Sequence, residues 1–247
     1  MGRQVYIHRL NTILLSSKYE TCLPQRLTTM MLRSLLSGLL LAATLVASAQ
    51  KVASYRCAPA QVRTYWNGPD GKPLGSFQDL VAAHPKIRFA MNGGMYASNL
   101  SPVGLYVEGG KQLKPLRRIN NPKVNFGIQP QGVFGIRNGS AFVEPVGSYE
   151  TKGVTYATQS APMLVVEGKR NPNLPVGLHL VRNGVGILPD GRVLLAVSED
   201  AVTFHQFADW FLRQGCRTAL YLDGNVSEYW VKGRDPWGRF GPFIAVD

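Results

Sequence analysis

Short apolar stretches separated by glycine, proline and asparagine run through most of the chain after about residue 50. Residues 52–66 alternate between polar and apolar side chains and are rich in Val, Tyr and Thr, which predicts one or two strands bent around Pro59. The segment KIRFAMN (86–92) predicts a buried strand. A fold rich in β-structure is therefore expected.

Three later segments predict β-hairpins: VGLYVEGGKQL (103–113), GVFGIRNGSAFV (132–143) and VGILPDGRVLLAV (185–197). The second contains Asn138-Gly139 and the third contains Asp190-Gly191. These dipeptides readily supply the positive φ that tight hairpin turns require. The middle of the protein is thus predicted to be an antiparallel meander.

Two segments predict helices. In SFQDLVAAH (76–84), Ser76 stands at the N-cap position, Asp79 follows three residues later, and Pro85 ends the segment. A longer helix is predicted over 201–215, with Asp200 as its N-cap. Its apolar residues fall at helical spacing, and the helix is expected to end at glycine. The apolar positions are Phe204, Phe207, Ala208 and Phe211, and the terminating glycine is Gly215.

Together these elements predict an α+β fold with a mainly antiparallel or mixed β-sheet core and a few packed helices, in a single domain. The chain has 247 residues, of which 45% are hydrophobic and 10% aromatic, and this is ample for one sizeable core. No repeat or linker interrupts the pattern.

The N-terminal part of the chain predicts export. Residues 30–49 contain a basic start at Arg33, an apolar stretch, and a small-x-small end at 47–49, which is typical of a secretory signal cleaved before Gln50. Residues 1–29 are then an over-extended start or a disordered leader, and residues 50–247 the mature domain. An uncleaved anchor is the alternative, although roughly a dozen apolar residues are short for a bilayer span. A periplasmic or secreted protein, without stable membrane insertion after cleavage, is expected.

The formal net charge of +12 remains basic after the leader is removed. Such an excess suits a polyanion, an anionic envelope surface or an anionic small substrate. No Lys/Arg block with interleaved aromatic residues occurs in the sequence, so nucleic acid is not an expected partner.

The mature domain contains two cysteines, Cys57 and Cys216, because Cys22 lies in the leader. An even number in an oxidising compartment predicts a disulfide between them, with two unpaired buried thiols as the alternative. No CxxC or HExxH spacing occurs, so neither a zinc site nor another cofactor is expected. A structural calcium ion held by Asp223 or Asp200 and backbone carbonyls stays open.

Polar residues at the ends of apolar stretches are the candidates for chemistry. FAMNGG ends in Asn92-Gly93-Gly94, and LYLDGN ends in Asp223-Gly224-Asn225. Loops at strand ends are common places for binding groups, although Asn-Gly and Asp-Gly are also ordinary hairpin turns. Two further segments contain Gln159-Ser160 and Arg182-Asn183. An arginine there can bind a phosphate or carboxylate in a bidentate manner, or it can be a surface residue before a turn.

Taken together, these segments offer an Asp, an Arg, amides, hydroxyls and backbone flanked by glycine. This set suits an anionic, polyhydroxylated ligand such as a sugar phosphate. The sequence has no G-x-S-x-G elbow, no Walker loop and no complete G-x-G-x-x-G run, so serine-hydrolase and nucleotide-binding readings are excluded.

In order and number, these segments resemble the phosphodiester glycosidases related to the lysosomal "uncovering enzyme", N-acetylglucosamine-1-phosphodiester α-N-acetylglucosaminidase, and most closely their bacterial exported branch. The resemblance covers most of residues 55–231. It is carried by FAMNGGMY with SPVGLYVEGG, NFGIQPQGVFGI, TQSAPMLVVEGK, RNGVGILPDGRVLLAVS and FADWFLRQGCRTALYLDGNVS.

The resemblance implies hydrolysis of the bond between the anomeric carbon of a sugar and a phosphodiester oxygen. Asp223 would be the nucleophile or base, Arg182 would clamp the departing phosphate, and Asn92 would complete the catalytic set. Glu199 is kept as a candidate second carboxylate. Substrate-binding positions would be Gly93 and Gly94 through their amides, Tyr96 by stacking, Gln159, Ser160, Asn183, Gly224, Asn225 and Ser227.

One departure from the family pattern leaves alternatives open. Many relatives have a second glycine where this chain has Asn225, and a Cβ there can narrow the site. A non-catalytic protein that binds an envelope phosphoglycan is therefore the main alternative. A phosphodiesterase that cuts the P–O bond is the third hypothesis, and it is less attractive because metal-binding clusters are missing from the sequence.

Overall fold

A computed structural model describes residues 50–223 and 226–247, so the predicted leader (1–49) and Gly224-Asn225 lie outside the described residues. Residues 50–247 form one compact unit. Within the described residues, no helix is both long and apolar enough to span a membrane.

The described residues contain two α-helices and fifteen strands. The helices are α1 (Phe77–Ala83) and α2 (Phe204–Arg213). In chain order the strands are β1 (Val52–Cys57), β2 (Val62–Tyr65), β3 (Phe89–Asn92), β4 (Tyr106–Glu108), β5 (Lys111–Lys114), β6 (Gly132–Arg137), β7 (Ser140–Pro145), β8 (Val154–Ser160), β9 (Met163–Val166), β10 (Lys169–Arg170), β11 (Asn183–Ile187), β12 (Val193–Ser198), β13 (Thr218–Tyr221), β14 (Tyr229–Val231) and β15 (Phe243–Val246).

These strands form three sheets, and every described strand pair is antiparallel. The orders are β1-β12-β11-β13-β9-β10, β14-β3-β15-β2 and β5-β4-β8-β6-β7. The predicted α+β class with a mainly antiparallel core is confirmed. The predicted meander holds only for local hairpins, because β11 and β12 belong to a different sheet from β4 to β8.

The predicted hairpin turns form where expected. Asn138 and Gly139 adopt φ values of 49° and 80° between β6 and β7, which is the positive φ that a two-residue turn requires. Gly191, with a φ of 82°, lies between the paired strands β11 and β12. The Asn-Gly and Asp-Gly dipeptides therefore specify these turns through their own backbone conformation.

The helix caps were predicted correctly for α1 and wrongly for α2. The Ser76 side chain accepts a hydrogen bond from Asp79 N at 3.0 Å, as expected of an N-cap. The N-cap of α2 is Thr203, whose Oγ1 accepts from Gln206 N at 3.1 Å in a capping box. Asp200 instead accepts from Lys51 N at 3.1 Å, because the chain stays extended for three residues before the helix begins.

The six-stranded sheet separates two parts of the hydrophobic core. One face, including Leu195 and Val197, joins residues of all three sheets in a central cluster. The other face, including Leu194 and Ala196, packs against α2. Side chains alternate between the faces of a strand, so β12 and β13 each contribute to both clusters.

Glycines on β11 let α2 pack closely on this sheet. A Cβ on Gly184 would lie 3.1 Å from the Phe207 ring, and one on Gly186 would lie 2.8 Å from both Phe211 and the Cys216 sulfur. These glycines therefore serve helix packing, with no part in a phosphate-binding loop.

The predicted disulfide is wrong for this structure: Cys57 and Cys216 are both free, buried thiols. Cys57 belongs to the central cluster and Cys216 to the cluster under α2, so the sheet lies between them. Burial raises the pKa of each thiol to about 12, against a smaller opposing effect of Arg88 on Cys57 and Arg56 on Cys216. The alternative of two unpaired thiols is the one observed.

Candidate functional site

Two buried asparagines join β3 to β11. Asn183 Nδ2 donates to the Asn92 backbone oxygen at 2.7 Å and to Asn92 Oδ1 at 2.9 Å, and neither residue is exposed to solvent. Because β3 and β11 belong to different sheets, this pair fixes the end of one sheet against the start of a strand in another. The two positions, 91 residues apart in the chain, were both predicted as site residues.

Asn183 also positions the backbone of Asp223. Its Oδ1 accepts from Asp223 N at 2.7 Å and lies 3.4 Å from Ser227 Oγ, and that hydroxyl donates to the Asp223 carbonyl oxygen. The Asp223 residue is 8% exposed. Asn183 therefore acts as a buried hub that holds Asp223 and Ser227 beside Asn92.

The orientation of the Asn92 amide follows from its neighbours. Asn92 Oδ1 accepts from Asn183 Nδ2 and also from Glu228 N at 3.0 Å, so the oxygen must face these two donors. The Asn92 Nδ2 atom is buried and has no hydrogen-bond partner within the described residues. A buried amide donor without a partner costs roughly 1 to 3 kcal/mol, so this group is suited to an acceptor oxygen of a ligand.

Tyr96 lies within electrostatic reach of Asp223. Its hydroxyl donates to the Arg239 carbonyl oxygen at 2.8 Å. Burial, and secondarily the charge of Asp223, raises the pKa of Tyr96 to about 12. The phenol therefore remains protonated at neutral pH, next to the carboxylate predicted to carry the chemistry.

The Arg182 side chain is held by contacts within the protein. Its side chain is buried, with Nε donating to the Val202 carbonyl and Nη2 to the Leu178 carbonyl, both at 2.9 Å. Its guanidinium carbon lies 3.7 Å from the centre of the Phe204 ring, on the α2 side of the sheet. Burial lowers the pKa of Arg182, and Tyr221 opposes that effect. These contacts give Arg182 a structural role, and its action as a phosphate clamp stays a prediction.

Arg182 and Asp223 nevertheless lie at the same end of the paired strands β11 and β13. Gly184 of β11 pairs with Tyr221 of β13. Arg182 lies just before β11, and Asp223 lies two residues after the end of β13. The backbones of these two distant segments therefore lie close together. Adjacent residues of an extended chain point to opposite faces, so Asn183 reaches Asn92 while Arg182 reaches α2.

Gln159 and Ser160 support the surrounding backbone. Gln159 Oε1 accepts from Leu105 N at 2.9 Å and Arg117 N at 3.0 Å, and its Nε2 donates to the Arg117 carbonyl. Ser160 Oγ donates to the Leu222 carbonyl at 2.7 Å, one residue before Asp223. Both side chains were predicted as ligand contacts, but their hydrogen bonds go to the protein backbone.

Gly93 and Gly94 were predicted to offer amides to a ligand. Gly93 N donates to the Pro242 carbonyl at 2.7 Å, and a Cβ on Gly93 would lie 2.9 Å from the Phe243 backbone. Gly94 has a φ of 140°, and a Cβ there would lie 2.9 Å from Thr158 Oγ1. The glycines are thus needed for close packing of β3 against its neighbours.

Two cavities meet beside Ser227. One, of about 310 Å³, is lined by Ser227, Glu199, Glu228, Tyr229 and Arg234, among others. The Tyr229 hydroxyl donates to Glu199 Oε1 at 3.2 Å, and Arg234 Nη2 donates to Glu228 Oε2 at 2.8 Å. The predicted second carboxylate, Glu199, therefore shares a cavity with Glu228, which the sequence did not single out.

The second cavity, of about 430 Å³, also includes Ser227 and Glu228 in its lining. It extends to Trp237, Arg239 and Phe240 in the segment before β15. Within the described residues, no group of three or more His, Cys, Asp or Glu side chains is placed to hold a metal ion. Gly224 and Asn225, both predicted to bind substrate, lie outside the described residues.

Comparison with known proteins identifies the family. The family model for phosphodiester glycosidases matches residues 85–241, more than half of the chain. The chain belongs to the phosphodiester glycosidase family. The matched range includes Asn92, Asn183, Asp223 and Ser227, together with Trp237 and Arg239.

Proteins similar to this chain include a curated protein and solved structures. The uncharacterized protein YigE of Escherichia coli (strain K12) is 34% identical over 194 residues, covering 75% of this chain and 76% of YigE. The catalytic domain of zebrafish N-acetylglucosamine-1-phosphodiester α-N-acetylglucosaminidase, auto-inhibited by its pro-peptide, has a TM-score of 0.60 at 14% identity, covering 81% of this chain and 84% of that chain. A putative exported protein from Burkholderia pseudomallei K96243 has a TM-score of 0.51 at 14% identity, covering 79% and 73%. These structures share the fold of this chain.

Sequence reasoning missed the residues that line the two cavities after Ser227. Glu228 follows Ser227 directly, and Trp237 and Arg239 stand in DPWGRFG near the C-terminus. One Asp-Pro, one Trp-Gly and one Phe-Gly pair there indicate an irregular loop. An exposed aromatic residue in such a loop is the signal that could have drawn attention to it.

Proposed function

We propose that this protein is an exported hydrolase that cleaves the glycosidic bond of a sugar-1-phosphodiester and releases a free sugar and a phosphomonoester. The observation that carries the proposal is the buried network in which Asn183 holds Asp223 and Ser227 beside Asn92. Membership of the family supports the reaction class. The signal-like pattern of residues 30–49 supports export.

In the proposed reaction, the bond between the anomeric carbon and the phosphodiester oxygen breaks, and its electron pair leaves with the phosphomonoester. Water supplies the oxygen that bonds to the anomeric carbon. A phosphomonoester is a good leaving group, so the main demand is to stabilise a sugar that resembles an oxocarbenium ion. Asp223 would meet this demand as nucleophile, or as the base that takes a proton from water.

The neighbouring groups fit binding roles around that carboxylate. Asn92 Nδ2 would donate to an acceptor oxygen of the sugar or phosphate, because its other amide atom is fully engaged. Tyr96, protonated at neutral pH, would offer its ring to the sugar. Asn183 and Ser227 would keep Asp223 in place, as its backbone contacts with both residues indicate.

The test is turnover of a sugar-1-phosphodiester by the purified protein and by Asp223→Asn, with Asp70→Asn as the matched control. Asp70 is an exposed acid in a turn, where its carboxylate accepts from Lys72 N. Loss of the catalytic carboxylate should reduce kcat at least ~100-fold, and the control should keep wild-type rates. Unfolding midpoints check that both variants fold. Undiminished turnover by a folded Asp223→Asn protein would remove Asp223 from the catalytic role.

A further inference from the structure

An exposed tryptophan marks one end of the cavity that begins at Ser227. Trp237 is 93% exposed, which is unusual for the largest apolar side chain. Val226 is 38% exposed in the same lining, and Leu178, two residues before the lining residue Leu180, is 75% exposed. Exposed apolar surface beside a cavity indicates a binding site.

The walls of this cavity are mainly apolar. Leu180, Val181 and Phe240 contribute to its lining, together with Trp237 at its exposed end. The polar members are Ser227, Glu228 and Arg239. Ser227 Oγ donates to the Asp223 carbonyl, so one end of the cavity contacts the candidate catalytic network. The cavity therefore runs from Ser227, which is bonded to the backbone of Asp223, to an apolar rim.

The segment that presents Trp237 is fixed at several points. Phe240 N donates to the Gly75 carbonyl at 2.9 Å, and the Tyr96 hydroxyl donates to the Arg239 carbonyl at 2.8 Å. Further along, Gln78 Nε2 donates to Asp235 Oδ1 at 2.7 Å. These bonds hold the backbone on both sides of Trp237, so the exposure of the indole is a property of an anchored segment.

We propose that this cavity binds an apolar chain on the leaving-group side of the scissile bond, so that the preferred substrate is a sugar-1-phosphodiester of a long-chain alcohol. The inference rests on the proposed function. The products are then a free sugar and an alkyl phosphate. Arg239, in the cavity lining, supplies positive charge on the side where the phosphate of that product departs.

A second sugar on the leaving-group side fits this lining less well. The hydroxyls around a sugar ring need hydrogen-bond partners, whereas the side chains of Leu180, Val181 and Phe240 offer none. An alkyl chain needs no such partners, and it gains affinity with each methylene that leaves water. The indole of Trp237 would cover part of that chain.

The experiment compares four diesters of one sugar-1-phosphate, with methyl, hexyl, decyl and hexopyranosyl groups on the far side. The value of kcat/KM should rise from methyl to hexyl by roughly two- to fourfold per methylene that the cavity buries, and the decyl diester should exceed the hexopyranosyl diester. Trp237→Ala should flatten this increase. Val124→Ala, at another exposed apolar residue, should keep it. Equal rates along the alkyl series, or preference for the hexopyranosyl diester, would overturn the inference and leave the proposed function standing.

Binding of decyl phosphate gives a readout that does not need turnover. Decyl phosphate should shift the tryptophan emission of the wild-type protein to shorter wavelength, and Trp237→Ala should lose that shift. If no diester is hydrolysed but this shift occurs, the proposed function fails while the apolar site stands. If decyl phosphate causes no shift and binds with no more affinity than inorganic phosphate, the apolar site is refuted.

Discussion

Asn183 Nδ2 lies 2.7 Å from the backbone oxygen and 2.9 Å from the side-chain oxygen of Asn92, in a pair that is fully buried between two sheets. On its other side, Asn183 Oδ1 accepts from Asp223 N. One amide group thus uses its donor to bind Asn92 and its acceptor to bind the backbone of the candidate catalytic Asp223. Its loss should affect folding and activity together.

Asn183→Asp is predicted to destabilise the protein by about 2 to 4 kcal/mol, because a carboxylate would face the two Asn92 oxygens that now accept hydrogen bonds. Asn120→Asp, at an exposed asparagine, should change stability by less than about 0.5 kcal/mol. Urea unfolding measures both. Equal stability of the two variants would show that the asparagine pair does not hold the sheets together.

Arg182→Lys separates a structural arginine from a phosphate clamp. A lysine cannot reproduce the two directed bonds to the Val202 and Leu178 carbonyls, so the free energy of unfolding should fall by about 2 to 4 kcal/mol. At a temperature where the variant is folded, its KM should stay close to that of the wild type. A variant of wild-type stability with a much higher KM would restore the clamp. Arg118→Lys, at an exposed arginine, is the control.

The two thiols should be unreactive in the folded protein. Burial raises the pKa of Cys57 and Cys216 to about 12, so the thiolate fraction at pH 8 is very small and access is blocked. Reaction with a disulfide reagent at pH 8 should therefore be slow in native protein and prompt after unfolding without reductant. If the two cysteines of the unfolded protein react with the reagent only after reduction, they were joined in a disulfide.

Glu108 should make stability depend on pH. Burial is the main cause that raises the pKa of Glu108, while its hydrogen bonds from the Tyr106 hydroxyl and Trp66 N oppose that effect. The folded state then binds a proton more readily than the unfolded state. The free energy of unfolding of the wild type, compared with that of Glu108→Gln, should accordingly increase as the pH falls from about 7 towards 5. This pH range lies just above the ordinary pKa of glutamate. Unfolding curves across this range measure it, and a fall in relative stability would contradict the sign.

The local elements of the fold could be predicted from the sequence because their signals are local. Asn138-Gly139 specifies a turn, and Ser76 with Asp79 specifies a helix start. Which strands pair depends on contacts between distant segments. The sequence therefore predicted the antiparallel class but not the assignment of β11 and β12 to a separate sheet.

The candidate site was predictable in part for the same reason. Asn92, Asn183 and Asp223 meet as the ordered motifs indicated. The structural contacts of Arg182 could not be predicted, because neighbouring residues of an extended chain point to opposite faces and the sequence does not say which face packs against α2. The disulfide failed because an even number of cysteines says nothing about which face of a sheet each occupies.

The bond that is broken is the central claim, and hydrolysis in ¹⁸O-labelled water tests it most directly. Cleavage between the anomeric carbon and the phosphodiester oxygen leaves the phosphomonoester without label, which ³¹P NMR reads from the absence of an isotope shift. We predict an unlabelled phosphomonoester from the wild-type protein and no product above background from Asp223→Asn. Incorporation of ¹⁸O into the phosphate would show P–O cleavage and contradict the account.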